Sequence, residues 1–194
     1  DGEFTYGGRG DAGNALFTSG KCGMYTGSSG MRASIIKAGQ FAFGTSTLPY
    51  YPDVKGAPQN SIIGGASLWV FSGKSDATYK GVIKFFKYLS SPEQAAAWHQ
   101  GTGYVPVTKA GYELTKKSGF YDKNPGTEVA VQQLNADTTA NSRGIRLGYL
   151  PQIRDIEDAT MEQIFAGKTN PDAGLKKMAT EGNALLERFE KSVK

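Results

Sequence analysis

Apolar positions recur at helical spacing along much of the chain, and the punctuation between them is unusually clear. Val82, Phe86 and Leu89 share one face, with Phe85 beside it. Ser91-Pro92-Glu93-Gln94 then supplies an N-cap, a proline at the first helical position and a capping-box glutamine. That helix carries Trp98 and His99 and ends at Gly101, with Thr102-Gly103-Tyr104-Val105-Pro106 as its extended exit. Residues 108–118 and 127–134 read as helices separated by the turn Asn124-Pro125-Gly126. Pro151 opens a helix through residue 165, with Ile153, Ile156, Thr160 and Ile164 along one side and Gly167 as its cap. Asn170-Pro171 starts the last helix, whose stripe of Leu175, Met178, Leu185 and Phe189, with Gly182 in the same row, is the pattern of a packed face.

The first third reads differently. A short helix over residues 11–19 brings Ala15, Leu16 and Phe17 together and stops at Gly20. Strands are expected over 22–26, over 41–48 up to Pro49, and over 61–71, the last interrupted at Gly64-Gly65. Residues 50–60 and 136–143 are polar loops. Between the first strand and a helix over 31–38 lies Gly27-Ser28-Ser29-Gly30. Strand, small polar turn and helix leave N–H groups and hydroxyls aimed at an anion; an ordinary serine N-cap explains the same residues without a ligand. A glycine pair within a strand marks a bulge or the close approach of another group, so Gly65 is either a hinge or ligand-facing position or a packing glycine. An apolar strand, a glycine break, paired helices and a Gly-Tyr turn between residues 57 and 106 form the order expected where a chain crosses between the lobes of a binding cleft. The class read from the residues is therefore an α/β binding domain with a polar cleft.

Composition narrows the function classes. With 39% hydrophobic and 21% charged residues, the 194-residue chain is globular in character. No apolar run approaches the roughly 18 residues of a membrane helix. The opening DGEFTYGGRGDAG has neither a Met start nor a signal-peptide pattern. Cys22, the single cysteine, excludes an intramolecular disulfide and any multi-cysteine metal site. The net charge of +4 comes from residues of mixed sign, without the Lys/Arg cluster interleaved with aromatics that a nucleic-acid partner calls for.

Catalytic constellations are thin. His99 is the single histidine, and it reads as a structural or surface residue rather than a catalyst. The carboxylate pairs Asp155/Asp158 and Glu157/Glu162 lie on charged helix faces. No HExxH, GxSxG or P-loop GK[ST] occurs, no GxGxxG is followed by a suitably spaced acid, and neither a metal nor a cofactor is implied. Groups that bind small polar molecules are better represented. Trp69 and Tyr104 offer flat faces with polar edges, and Ser28, Ser29 and Gly65 offer short donors. Arg146 and Arg154 flank RLGYLPQIR. Arg154, just inside a helix start, is poorly placed for the macrodipole; it meets either an anion, through its planar fork of donors, or a neighbouring Asp155, Glu157 or Asp158.

At APQNSIIGGASLWV, EQAAAWHQGTGYVPVTKAGYEL, GFYDKNPG, RLGYLPQIR and LLERFEKS, the chain resembles the C-terminal half of the extracytoplasmic solute-binding proteins of ABC importers. It is most similar to the members that take glycerol 3-phosphate and, in some relatives, glycerophosphodiesters. The resemblance implies an α/β, two-lobed, type II periplasmic-binding-protein-like fold, here as an incomplete C-terminal portion. Residues 1–64 and 108–194 would belong to the C-terminal lobe, and residues 65–107 would form the hinge crossing and part of the N-terminal lobe. It implies that Ser28, the backbone of Gly65, Tyr104 and Arg154 line this half of the site, with Arg154 on the phosphate; Ser29 and Trp69 are further candidates. The implied partners are a small phosphorylated polyol, a membrane permease and the N-terminal half of the same protein. The implied location is the periplasm, and no enzymatic activity is implied. A related importer protein that binds oligosaccharides remains the alternative.

Overall fold

The computed structural model describes residues 6–194, which divide into two compact units: residues 14–143, and residues 144–194 with the segment before residue 14.

The larger unit begins with α1 (Asn14–Thr18), whose Phe17 stacks on Tyr25 and meets Phe41 edge-on at 5.3 Å. A 3-10 turn over Ser29–Met31 runs into α2 (Arg32–Ala38). Then come α3 (Asp76–Leu89), α4 (Pro92–Thr102), α5 (Lys109–Lys117), α6 (Phe120–Lys123) and α7 (Val129–Leu134). The caps are those the side chains demand. Ser75, Ser91 and Thr108, each in extended conformation, accept from the backbone N–H groups of Thr78, Gln94 and Gly111. The packed centre of this unit is the crossing of α4 on α5. Ala95 and Ala96 are buried there, and a methyl group on Gly111 would lie 2.7 Å from the Ala95 Cβ, so small residues set the close approach.

No strand forms among the described residues. The segments expected as strands are extended but carry no backbone ladder. Ser61 N–H donates to the Gln133 carbonyl, Asn60 N–H to that of Asp137, and Leu48 N–H to the Gln133 side chain. Ile62, Ile63, Leu68, Trp69 and Phe71 are exposed rather than buried. β-propensity is realised only when a second strand supplies the pairing partners, and none of the described segments does so.

In the smaller unit, α8 (Leu150–Phe165) and α9 (Pro171–Val193) pack as a helical hairpin. Ile153 and Thr160 are buried, with Ile156 and Ile164 half-buried, as the spacing predicts. The stripe on α9 needs correction: Leu175 and Phe189 are exposed, while Gly174, Met178, Gly182 and Leu185 face inward. A methyl group on Gly174 would lie 2.6 Å from Ile164 Cδ1, so the row carrying the glycines is where α8 comes close. Asn170 caps α9 by accepting from Ala173 N–H at 2.8 Å. Arg9 grips both carboxylate oxygens of Glu162 at 2.7 and 2.6 Å, and Tyr6 donates to the same group. This fork holds the Glu162 carboxyl below its ordinary range.

Candidate functional site

Tyr104 organises the candidate site in the larger unit. Its ring lies against the backbone of Gly30 and Gly65: a methyl group on Gly30 would sit 2.7 Å from two ring carbons, and one on Gly65 would sit 3.7 Å from a third. The glycines are therefore packing partners of the tyrosine, and Gly65, at φ +102°, also occupies a conformation that L side chains avoid. Ser28 stands at the start of the same turn, where its hydroxyl accepts from Gly30 N–H at 3.2 Å. Ser28 is thus an ordinary N-cap, and its exposed hydroxyl retains a proton to donate. The neighbouring Ser29 presents its carbonyl to Gly103, where a methyl group would meet that oxygen at 2.5 Å.

The backbone of this turn is held on every side. Gly103, at φ +86°, ends α4 with its N–H on the His99 carbonyl at 2.9 Å. Tyr104 N–H donates to Thr102 Oγ1 at 3.2 Å, and that hydroxyl donates to the Trp98 carbonyl at 2.7 Å. The Tyr104 carbonyl lies 2.5 Å from His99 Nδ1. With its main chain tied, Tyr104 stays 43% exposed, and its hydroxyl has no hydrogen-bond partner among the described residues.

Of the remaining sequence candidates, Trp69 belongs to the larger unit, and Arg146 and Arg154 to the smaller one. Trp69 is 87% exposed and joins an open apolar surface with Leu68, Val70 and Phe71 rather than the Tyr104 turn. Arg154 lies in the first turns of α8, in the other unit, exposed and without an ion pair among the described residues. The second alternative, a bridge to Asp155, Glu157 or Asp158, is not formed. Arg146 precedes that helix and is exposed.

Sequence reasoning missed Arg32. Its guanidinium lies 5.3 Å from the Phe43 ring centre, and its Cβ abuts Gly103. Partial burial depresses its pKa, and it makes no ion pair among the described residues. Its position two residues after GSSG was the available signal. Of the two readings offered for His99, structural or surface, the structural one holds: it is 1% exposed and satisfied at both ring nitrogens.

Comparison with known proteins defines the class. Residues 2–129, more than half of the chain, match the bacterial extracellular solute-binding protein family, and the chain belongs to that family. Over its whole length the chain is 52% identical to the sn-glycerol-3-phosphate-binding periplasmic protein UgpB of Pectobacterium atrosepticum and 50% identical to that of Salmonella typhimurium. It spans 44% of the length of each. The fold matches the crystal structure of UgpB from Mycobacterium tuberculosis in complex with glycerophosphocholine. The TM-score is 0.66 at 24% identity, covering 86% of this chain and 40% of that one. The α/β periplasmic-binding fold is therefore that of this chain, as part of a longer architecture, although its extended segments here lack their ladders. No helix among the described residues is long and apolar enough to cross a membrane.

Proposed function

We propose that the chain is part of the solute-binding component of an ABC importer. In this reading it captures sn-glycerol 3-phosphate or glycerophosphodiesters in the periplasm and hands them to a membrane permease. The observation that carries the reading is the packing of Tyr104 against Gly30 and Gly65 beside Ser28, which gathers short polar donors around one fixed aromatic ring. The names and identity of the curated relatives support the choice of ligand. Arg154, exposed and unpaired near the start of α8, is the group suited to the phosphate. Ser28 and Tyr104 add hydrogen bonds through their hydroxyls, and Gly65 adds one through its backbone. Trp69 and Ser29 have weaker support. In a two-lobed whole, residues 1–64 and 108–194 belong to one lobe and 65–107 to the other. The remaining length then supplies the second wall of the cleft and covers the apolar segment from Ile62 to Phe71. The chain acts by binding and has no catalytic role.

The test is calorimetric titration of the full-length protein with glycerol 3-phosphate, with a maltose-like sugar as competitor. Arg154→Ala is expected to weaken phosphate binding by about 1.5–3 kcal/mol, the range for a hydrogen bond to a charged group. Unchanged affinity removes the phosphate role, and displacement by the sugar removes the ligand assignment.

A further inference from the structure

We propose that His99, through its hydrogen bond to the Tyr104 carbonyl, is the positioning residue that holds Tyr104 in its ligand-ready orientation, with Tyr121 locking the imidazole from behind. The inference rests on the reading of Tyr104 as a ligand contact.

The geometry is specific about the tautomer. A carbonyl oxygen only accepts, so the 2.5 Å contact to the Tyr104 carbonyl requires the proton on Nδ1. Nε2 is then an acceptor, and Tyr121 Oη–H donates to it at 3.0 Å. The imidazole is nearly sealed, with Phe120 and Tyr121 packed around its ring. Tyr121 is in turn backed by Tyr112, whose hydroxyl donates to Glu128 at 2.5 Å. A relay from half-buried Tyr121 on α6 to buried His99 on α4 therefore ends on a single backbone oxygen of the candidate site. Without the His99 bond, the Tyr104 peptide keeps its N–H contact to Thr102 but loses the restraint on its carbonyl side. The ring is then free to leave Gly30 and Gly65.

Asparagine and glutamine separate this role from a general contribution to folding. The His99→Asn amide reaches the Nδ1 position and can still donate to the Tyr104 carbonyl. The His99→Gln amide reaches the Nε2 position and cannot. Both keep a polar group in the site, and each is titrated in the full-length protein with glycerophosphocholine, whose phosphodiester does not titrate near neutrality. His99→Asn is expected to bind as the parent does. His99→Gln and His99→Leu are expected to bind about tenfold more weakly, the loss of about one neutral hydrogen bond. Against a Tyr104→Ala background, His99→Gln is expected to cause no further loss, because its effect passes through Tyr104.

Parent-like affinity in His99→Gln overturns the proposal, as do equal losses in the asparagine and glutamine variants or additive losses with Tyr104→Ala. Should His99→Leu fail to fold, the asparagine and glutamine pair still decides. If the parent binds glycerophosphocholine and Tyr104→Ala leaves its affinity unchanged, the assignment of Tyr104 fails, and this inference fails with it. If Tyr104→Ala weakens binding and the His99 variants do not, only the inference fails.

Discussion

Gly30→Ala in the full-length protein perturbs the candidate site with a single methyl group. Gly30 lies within a 3-10 turn and not at positive φ, so alanine meets no backbone obstacle. The new Cβ would be 2.7 Å from Cε2 and Cζ of Tyr104 and 3.1 Å from Cε1. Carbon atoms prefer about 3.5–4.0 Å, so the ring must withdraw by roughly 1 Å. The Tyr104 peptide is pinned by His99 and Thr102, whereas the ring is 43% exposed. The side chain therefore moves and the backbone stays. An off-rotamer side chain costs about 0.5–1.5 kcal/mol, which bounds the loss of stability. Loss of one neutral hydrogen bond to ligand weakens binding by about 0.5–1.5 kcal/mol, or about two- to twelvefold in Kd. Gly65→Ala is the contrasting variant. Its methyl meets the ring at an ordinary 3.7 Å, but alanine at φ +102° is strained, with a cost of about 1–3 kcal/mol. Calorimetry and urea denaturation on both variants should therefore show Gly30→Ala acting mainly on affinity and Gly65→Ala mainly on stability. Parent-like affinity for Gly30→Ala, measured on folded protein, refutes the reasoning.

Burial depresses the His99 pKa, opposed by its hydrogen bond to the Tyr104 carbonyl. The other titratable groups around the ring are Tyr121, pushed up to about 12 chiefly by burial, and beyond it Tyr112, also near 12, with Glu128. Because the unfolded chain takes up the proton near the ordinary value of about 6.5, the His99 contribution is complete above that pH. It is lost as pH falls through the lower folded value. Urea midpoints measured from pH 8 to pH 5 should fall more steeply for the parent than for His99→Asn, and parallel curves contradict this. In the α8/α9 hairpin, a methyl group on Gly148 would lie 2.0 Å from Phe189 Cγ. Gly148→Ala should therefore cost about 1–3 kcal/mol by overpacking, and Phe189→Ala in the same chain should recover part of that loss.

Helices were legible in the sequence because their signals are local. Ser91, Thr108 and Asn170 cap the helices they precede, and the row Ile153, Ile156, Thr160 and Ile164 turns inward as its spacing requires. The strands were not legible in the same sense. Residues 22–26, 41–48 and 61–71 have strand-like composition, but a ladder depends on a partner from elsewhere, and the described residues offer none. The stripe on α9 was misread because a hydrophobic pattern gives weight to Leu175 and Phe189. The close helix contact is made instead where a side chain is absent, at Gly174, in the row that continues through Met178, Gly182 and Leu185. Helix α6 is too short to carry a periodic signal. In the candidate site, Ser28, Gly65 and Tyr104 could be singled out by residue type. Their convergence on one ring, and the partnership of His99 with Tyr121, are tertiary facts that no local spacing encodes.

The most direct test of the account is the structure of the full-length protein with glycerophosphocholine bound, read at the phosphate oxygens. The Arg154 guanidinium, the Ser28 and Tyr104 hydroxyls and the Gly65 N–H are expected within hydrogen-bonding distance of the ligand, with Arg154 on the phosphate. A phosphate bound away from Arg154, with the Tyr104 ring still packed on Gly30 and Gly65 and untouched by ligand, contradicts it.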